Sequence, residues 1–312
     1  MKAQLLSLPA PLRPGDRVKL AAASSALEDA ERLVAGLAIL ESWGLRCEEN
    51  PHTLPQRRWG YLAGRDSERL ADLAPEDAAD GEPAALLACV RGGWGAARLL
   101  EHSPLAQTPW LLGFSDVTSL LFDRVAQGRG GGIHGPLLTT LAAEPPWSQE
   151  RLRSLLFGEP LPDLEGQSWR PGVAEGPLLV ANLTVATHLL GTPHLPALAG
   201  AILVLEDVGE APYRLDRMLT HWRLSGGLQQ LAGLAFGQFS DCDDRDDSGA
   251  EPTGGADPRR FNVEQVLRER SGDLGIPVVA GLSVGHISGN AALPLGVLAR
   301  LDGERGRLSL VP

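Results

Sequence analysis

Residues 84–126 read AALLACVRGGWGAARLLEHSPLAQTPWLLGFSDVTSLLFDRVA, and two kinds of pattern alternate along them. The apolar runs at residues 84–90 and 109–114 are each followed by a short turn and then by a helical pattern. Continuous apolar runs of this length are typical of strands buried on both faces of a sheet. Two strand–turn–helix units in succession therefore predict an α/β fold, with a mostly parallel sheet and helices on both of its faces.

The same alternation extends in both directions from this stretch. Towards the N-terminus, residues 17–23 (RVKLAAA) form an apolar run, and a helical pattern follows from about residue 28 to residue 42. Towards the C-terminus, apolar runs and helical patterns alternate again, and apolar and polar residues alternate in the last segment. These patterns predict strands at 200–208 and 231–239, a helix at about 214–224, and a hairpin at 296–311 that turns near Asp302 and Gly303.

Chain length and proline content predict the domain organisation. A chain of 312 residues exceeds one average domain, so two domains are expected. Between residues 144 and 177 prolines are frequent and periodic apolar positions are sparse. We therefore assign residues 1–150 to an N-terminal domain, residues 151–176 to a linker and residues 177–312 to a C-terminal domain.

The composition limits the partners and the compartment. The net charge of -11 argues against nucleic acid, because binding to phosphates needs a basic surface. No apolar stretch matches a signal peptide or reaches the ~20 residues of a membrane span. Cys47, Cys89 and Cys242 are far apart and form no CxxC pattern, which is typical of reduced thiols. We expect a cytoplasmic protein with no nucleic-acid or membrane partner. The acidic, glycine-rich segment 241–255 is predicted to be a solvated loop of unassigned role.

Ser115 is a candidate nucleophile, because Gly113-Phe114-Ser115-Asp116 lies where a predicted strand meets a helix. A serine on such a sharp turn exposes its hydroxyl, and the following N–H groups point towards a developing oxyanion. The last glycine of the G-x-S-x-G pattern is replaced by Val117. From this segment alone, the alternative that Ser115 or Asp116 only caps the helix stays open.

Two further segments carry candidate functional residues. Arg91-Gly92-Gly93-Trp94-Gly95 also joins a strand to a helix, and its glycines allow a ligand to approach exposed N–H groups. The segment lacks the patterns of phosphate-binding loops, so it indicates an oxyanion or carboxylate site, or only a tight turn. Glu206, at the end of a strand, and His286 have the chemistry to orient and act as a base for a serine. Taken singly, each is also compatible with an ordinary structural role.

Together these segments resemble the LD-carboxypeptidase family of serine peptidases, which includes the immunity peptidases that inactivate microcin C. The similar stretches occur in the family's order and extend over nearly the whole chain. They are LRPGDRVKLAAASS (12–25), VRGGWGAARLL (90–100), LGFSDVTSL (112–120), GAILVLEDVGEAPYRLDRML (200–219) and GHISGNAALPL (285–295).

The resemblance implies a role for each matching position. Ser115 corresponds to the nucleophile, Glu206 to the acid of the triad and His286 to its base. The N–H groups of Gly92 and Asp116 are implied to form the oxyanion hole. Residues expected to bind substrate are Arg91, Gly93, Trp94 and Asn182. The sequence departs from the family at Val180-Ala181, where a Gly-Gly pair is usual before Asn182.

The resemblance also implies the fold and the function. The N-terminal α/β domain is expected to carry the serine, and a smaller, β-rich α/β C-terminal domain to carry the acid and the base. A homodimer is usual in the family. The implied activity is release of the terminal D-alanine from murein tetrapeptides during cell-wall recycling, with no metal or organic cofactor. The sequence leaves open whether lysine or diaminopimelate precedes that D-alanine.

Three alternatives remain at this stage, and the third of them is a phosphate-binding oxidoreductase. The first is hydrolysis of a peptide–nucleotide toxin of the microcin C type, which needs an aromatic surface for the base. Trp59, Trp94 and Trp222 are the candidates for that surface. The second is a binding protein that retains the pocket without turnover.

Overall fold

The computed structural model describes residues 2–47, 51–74, 83–105, 108–243 and 261–311. Most of the predicted acidic loop 241–255 lies outside these ranges. No helix in the described ranges is long and apolar enough to cross a membrane. The strands are β1 (Arg17–Ala21), β2 (Arg46–Cys47), β3 (Leu86–Cys89), β4 (Trp110–Gly113), β5 (Gly132–His134), β6 (Leu164–Glu165), β7 (Gln167–Arg170), β8 (Val173–Asn182), β9 (Ile202–Val208), β10 (Gly233–Ser240), β11 (Val278–Ala280), β12 (Leu293–Pro294), β13 (Leu298–Asp302) and β14 (Arg307–Leu310).

The helices follow β1, β2, β4, β5 and β8 to β10, in the alternating order that the sequence predicts. They are α1 (Glu31–Ser42), α2 (Asp66–Leu73), α3 (Thr118–Ala126), α4 (Leu138–Leu141), α5 (Pro146–Phe157), α6 (Leu183–His188), α7 (Pro212–Leu224) and α8 (Val263–Ser271). Short 3₁₀ helices occupy Pro51–Gln56, Ala96–His102, Ser115–Val117 and Leu228–Gln230.

The first sheet has six strands in the order β12-β5-β4-β3-β1-β2. All pairs within β1–β5 are parallel, and the edge strand β12 pairs with β5 in the antiparallel direction. Strands β1, β3 and β4 are buried along their whole length, as their continuous apolar runs predict. The mixed α/β fold expected from the sequence is therefore confirmed.

The second sheet has eight strands in the order β6-β14-β13-β8-β9-β10-β11-β7. Its centre, β8 to β11, is parallel, and the outer pairs are antiparallel. Strands β6 and β7 stand at opposite ends of this order, although only Gly166 separates them along the chain. The sheet must therefore curl until its two edges lie side by side. The predicted hairpin at 296–311 corresponds to β13 and β14.

Residues 151–176, which the sequence predicts to be a linker, are part of the folded structure. They include most of α5, both strands β6 and β7, and the start of β8. The linker interpretation failed because these prolines stand where regular structure tolerates them. Pro146 lies in the first turn of α5, where a missing N–H breaks no hydrogen bond, and Pro171 lies between β7 and β8. The division of the chain into two domains stays a prediction.

The segment after β11 contacts both sheets. Leu282 N–H donates to Phe236 O on β10 (3.2 Å), and Gln238 N–H of the same strand donates to Val284 O (2.8 Å). A few residues later, Leu293 pairs with His134 of β5, at the edge of the first sheet. This segment carries His286, so the position of His286 depends on both halves of the molecule.

Candidate active site

Ser115 lies directly after the carboxyl end of β4, and its backbone is in the left-handed region with φ of 62°. A non-glycine residue with this φ is strained, and such strain is concentrated at functional sites. No side chain caps the short helix that begins here. The capping alternative is therefore wrong for Ser115, and Asp116 Oδ2 instead accepts the N–H of Ala96 (2.8 Å).

The turn accommodates Val117 in place of a glycine because Gly113 leaves room for it. A Cβ at Gly113 would lie 2.7 Å from Val117 Cγ1. The first glycine of the segment thus permits a β-branched side chain where the usual pattern has a second glycine.

Ser115, His286 and Glu206 form a continuous chain of hydrogen-bond contacts. His286 Nε2 lies 3.1 Å from Ser115 Oγ, and His286 Nδ1 lies 2.8 Å from Glu206 Oε2. In the tautomer with hydrogen on Nδ1, His286 donates to the carboxylate and accepts from the serine hydroxyl. This is the arrangement in which a histidine acts as a base towards serine.

Glu206 is fully buried at the carboxyl end of β9. Burial raises the pKa of its carboxyl group, and the contact with His286 opposes that rise. Gly285 allows the close approach of the His286 loop, because a Cβ there would lie 2.8 Å from Glu206 Oε2 and its φ of 122° disfavours other residues. The glycine beside His286 is thus required by packing against the acid.

The floor of the site is aromatic and uncharged. The Phe114 ring lies between two imidazoles, 4.8 Å from the ring centre of His286 and 5.6 Å from that of His134. His134 is fully buried, and neither of its nitrogens has a hydrogen-bond partner among the described residues. Burial, assisted by repulsion from His286, lowers the pKa of His134 to about 3. His134 is therefore neutral at physiological pH.

We expect His134→Leu to reduce the loss of stability on acidification. Between pH 6.5, the ordinary pKa of histidine, and about 3, only the unfolded chain binds a proton at this position. The wild-type protein therefore loses stability from this group as the pH falls through that window. Urea unfolding at pH 6 and pH 5 should show a loss smaller by about 1 kcal/mol in the variant. Equal losses in both proteins would mean that folded His134 accepts the proton.

Gly92 lies beside the serine, in the loop after β3. A Cβ at Gly92 would lie 3.0 Å from both Cβ and Oγ of Ser115, so only glycine fits without displacing the serine. The Gly92 N–H has no hydrogen-bond partner among the described residues, while Gly92 O accepts the N–H of Ser25 (3.3 Å). Gly92 therefore has a free N–H on a residue that packs against Ser115, which is compatible with the predicted role as an oxyanion donor.

An open cavity of about 450 Å³ adjoins the serine. It lies at the carboxyl edge of the first sheet, the usual position of ligand sites in parallel α/β sheets. Arg91 lines it, with Nη1 donating to Ala26 O (2.8 Å), and so does Gly93. The lining also contains residues that the sequence did not single out, namely Leu27, Glu28, Asp29, Arg32, Leu137, Thr139 and Thr140. They lie in the segments that follow β1 and β5, including the first turn of α1 and the short helix α4. The predicted strand at 17–23 would have placed the first of these segments at this edge, whereas β5 was not predicted.

Four residues considered for ligand binding do not line this cavity, namely Trp59, Trp94, Asn182 and Trp222. Trp94 is 41% exposed, but its ring packs edge-on against His188, with 6.3 Å between ring centres. Asn182 is buried and caps α6: its Oδ1 accepts the N–H of Val185 (3.0 Å) and its Nδ2 donates to Asp207 (3.0 Å). Asn182 pairs with Glu206 of the neighbouring strand β9 and does not line the cavity. Trp222 is fully buried, which makes it wrong as a stacking surface.

Family models match both halves of the chain. The LD-carboxypeptidase N-terminal domain matches residues 18–135, and the LD-carboxypeptidase C-terminal domain matches residues 175–301. The chain belongs to the LD-carboxypeptidase family. Ser115 falls within the N-terminal match, and Glu206 and His286 fall within the C-terminal match.

Two relatives are similar to this chain over nearly their whole length. A putative carboxypeptidase of Synechocystis is 46% identical, with 97% of each chain covered. The murein tetrapeptide carboxypeptidase of Pseudomonas aeruginosa is 35% identical, covering 93% of this chain and 94% of the relative.

Solved structures of LD-carboxypeptidase-like proteins share the fold. The muramoyltetrapeptide carboxypeptidase of Oxalobacter formigenes has a TM-score of 0.78 at 24% identity, over 94% of this chain and 97% of that one. The microcin C7 self-immunity protein has a TM-score of 0.79 at 21% identity, over 98% of each chain. At these identities the comparison establishes the architecture alone.

Proposed function

We propose that this protein is a serine LD-carboxypeptidase that releases the terminal D-alanine from murein tetrapeptides through an acyl-enzyme. The observation that carries the proposal is the chain of contacts from Ser115 through His286 to Glu206 at the wall of an open cavity. The murein tetrapeptide carboxypeptidase at 35% identity supports the choice of substrate.

Acylation begins with attack of Ser115 Oγ on the carbonyl carbon before the terminal D-alanine. His286 Nε2 takes the hydroxyl proton, and the buried carboxylate of Glu206 stabilises the imidazolium that forms. The carbonyl oxygen becomes an oxyanion, and the N–H groups of Gly92 and Asp116 donate to it. Collapse of this intermediate breaks the C–N bond, and His286 gives its proton to the departing amine of D-alanine.

Deacylation repeats the same proton transfers with water. His286 removes a proton from a water molecule as its oxygen attacks the ester carbonyl of acylated Ser115. The second tetrahedral intermediate carries an oxyanion that uses the same two N–H donors as the first. Its collapse returns the proton to Ser115 Oγ and releases the shortened peptide with a new carboxylate. The cycle consumes one water molecule and needs no redox change.

The cavity is suited to a peptide that ends in a carboxylate. Arg91 lies two residues after β3 and directly before Gly92, and it lines the same cavity as Ser115. Its bond to Ala26 O uses one of its donors and leaves others for a ligand. We assign the carboxylate of the leaving D-alanine to Arg91. Gly93 completes the wall of this turn.

Location and assembly form part of the same proposal. Recycling of murein fragments takes place inside the cell, so we propose a cytoplasmic location. We also propose a homodimer, as is usual in the family. Cell fractionation and light scattering of the purified protein test these two points.

Release of D-alanine from purified murein tetrapeptide, measured with and without EDTA, tests the proposed function. We expect release that EDTA does not reduce, together with labelling of Ser115 by a fluorophosphonate. Absence of both release and labelling would favour a binding protein without turnover. Labelling without release would retain the nucleophile but refute the proposed substrate.

A peptide–nucleotide amide is the second candidate substrate, and the exposed face of Trp94 favours it. Trp94 follows the loop that carries Gly92 and presents an aromatic surface on which a base can stack. Hydrolysis of such an amide, lowered by Trp94→Ala while D-alanine release is unchanged, would support this activity.

A further inference from the structure

We propose that Glu28, Asp29 and Arg32 form a subsite for a zwitterionic side-chain end on the residue whose carbonyl Ser115 attacks. A stem peptide containing diaminopimelate would then be preferred to one containing lysine. The inference rests on the proposed function, and it names Arg32 as the residue that discriminates between the two stems.

The cavity that holds Ser115 carries charges of both signs. Glu28, Asp29 and Arg32 lie together in the loop after β1 and the first turn of α1. Glu28 and Arg32 are exposed, and neither has a hydrogen-bond or ion-pair partner among the described residues. Asp29 Oδ1 accepts the N–H of Glu31 (3.0 Å), which leaves its other oxygen for a ligand. Two acids and a cation are thus available beside the nucleophile.

These charges match a ligand that brings both an ammonium and a carboxylate. Arg91, beside the oxyanion loop, is assigned to the terminal carboxylate, so a different anion is needed to pair with Arg32. The side chain of diaminopimelate ends in an ammonium and a carboxylate on one carbon, whereas that of lysine ends in an ammonium alone. Glu28 and Asp29 would bind the ammonium of either stem. Only the zwitterion would use Arg32.

Kinetics with two tetrapeptides that differ only at the third residue test this assignment. For the wild type, we expect kcat/KM about tenfold higher for the diaminopimelate stem, since hydrogen bonds between charged groups have about this effect. Arg32→Gln should remove that advantage and leave the value for the lysine stem within about twofold. Glu28→Gln should lower both values. Arg300→Gln, on β13 of the second sheet, is the control for loss of a surface arginine and should change neither.

The outcomes separate failure of the subsite from failure of the function. Equal turnover of the two stems by the wild type would overturn the subsite and retain the carboxypeptidase. An equal fall for both stems in Arg32→Gln would overturn it too, because Arg32 would then bind a group that both stems share. Turnover of neither stem would refute the proposed function and, with it, the subsite.

A second inference concerns a different part of the site: the geometry points to Glu144 as a positioning residue for His286. Glu144 is a buried carboxylate between α4 and α5. Its Oε2 accepts two consecutive N–H groups of the His286 loop, those of Gly289 (2.8 Å) and Asn290 (3.0 Å). Asn290 Oδ1 in turn accepts the N–H of Gly285, the residue directly before His286 (2.9 Å).

Other bonds attach the same loop to α5, so the first half of the chain holds it at several points. Ser148 Oγ donates to Asn290 O (2.9 Å), and Arg151 Nε donates to Ala292 O (2.9 Å). Glu206 approaches His286 from the opposite side, on β9. Glu144 therefore fixes the distance between His286 and Ser115 without touching substrate. A serine and its base must keep this distance for proton transfer.

Glu144→Ala is expected to lower kcat by about 10- to 100-fold while KM stays within about twofold, because a small displacement of a catalytic group has effects of this size. Glu144→Gln keeps an oxygen that can accept both N–H groups, so it should retain kcat within about threefold. The rate of fluorophosphonate labelling should follow kcat in each variant. Glu150→Ala, an exposed change on α5, is the control.

Two results would contradict this role. One is wild-type kcat in Glu144→Ala. The other is a loss of kcat in Glu144→Gln as large as in the alanine variant, because the bonds to the loop would then be irrelevant. If Glu144→Ala does not fold, Ser148→Ala offers a milder change on the same loop and should lower kcat by about threefold at unchanged KM.

Discussion

Ser115→Ala is expected to lower kcat for D-alanine release by roughly 10⁴- to 10⁶-fold, because no other group in the cavity can replace the nucleophile. The two other hydroxyls among the described lining residues have backbone partners. Thr139 Oγ1 donates to Val90 O (3.0 Å) and Thr140 Oγ1 donates to Leu137 O (3.1 Å). Discontinuous assays of D-alanine release from purified tetrapeptide measure the effect on kcat, and loss of fluorophosphonate labelling should accompany it.

Comparison with Ser115→Gly separates catalysis from backbone strain. Both variants lack the hydroxyl, so both should be inactive. At a φ of 62°, glycine is relaxed and alanine is not, so the glycine variant should be more stable than the alanine variant by about 1 kcal/mol in urea unfolding. Residual turnover above about 1% in either variant would show that Ser115 is not the nucleophile.

Residues of the site can be predicted from the sequence where they belong to a local motif. Ser115 follows a buried strand, Glu206 ends another, and both positions are fixed by strand–turn–helix units that the apolar pattern reveals. Glu144 gave no such signal. Its role depends on two N–H groups about 145 residues later in the chain, and such a contact exists only after both halves have folded.

Two expectations from the sequence differ from the structure for physical reasons. The expectation that Asn182 binds substrate comes from the resemblance to the family, at the position that follows Val180-Ala181. The short side chain of Asn182 instead caps α6 and bonds to Asp207, which is the commonest use of asparagine at a helix start. Proline frequency likewise indicated a linker at 151–176, although prolines at a helix start or between strands leave regular structure intact.

Glu206→Gln is expected to lower kcat by roughly 10³- to 10⁴-fold without loss of stability. The variant keeps the shape of the side chain but lacks the charge that stabilises the imidazolium of His286. Its amide can also turn its NH₂ group towards Nδ1, which would favour the wrong tautomer for attack by Ser115. Because burial raises the pKa of Glu206, the charged form is disfavoured in the folded state. A neutral side chain should therefore leave the melting temperature unchanged or raise it.

The neighbouring carboxylate provides a matched control with the opposite result. Asp207 accepts four hydrogen bonds, from Asn182 Nδ2, from the N–H and hydroxyl of Thr184, and from the N–H of Val208 (2.8–3.0 Å). Asp207→Asn would place an NH₂ group against some of these donors, so it should destabilise the fold by about 1–3 kcal/mol. Glu206→Gln should thus lower kcat without lowering stability. Asp207→Asn should lower stability without a comparable loss of kcat. If Glu206→Gln destabilised the protein as much as Asp207→Asn while retaining kcat, Glu206 would be a structural residue and the proposed triad would lack its acid.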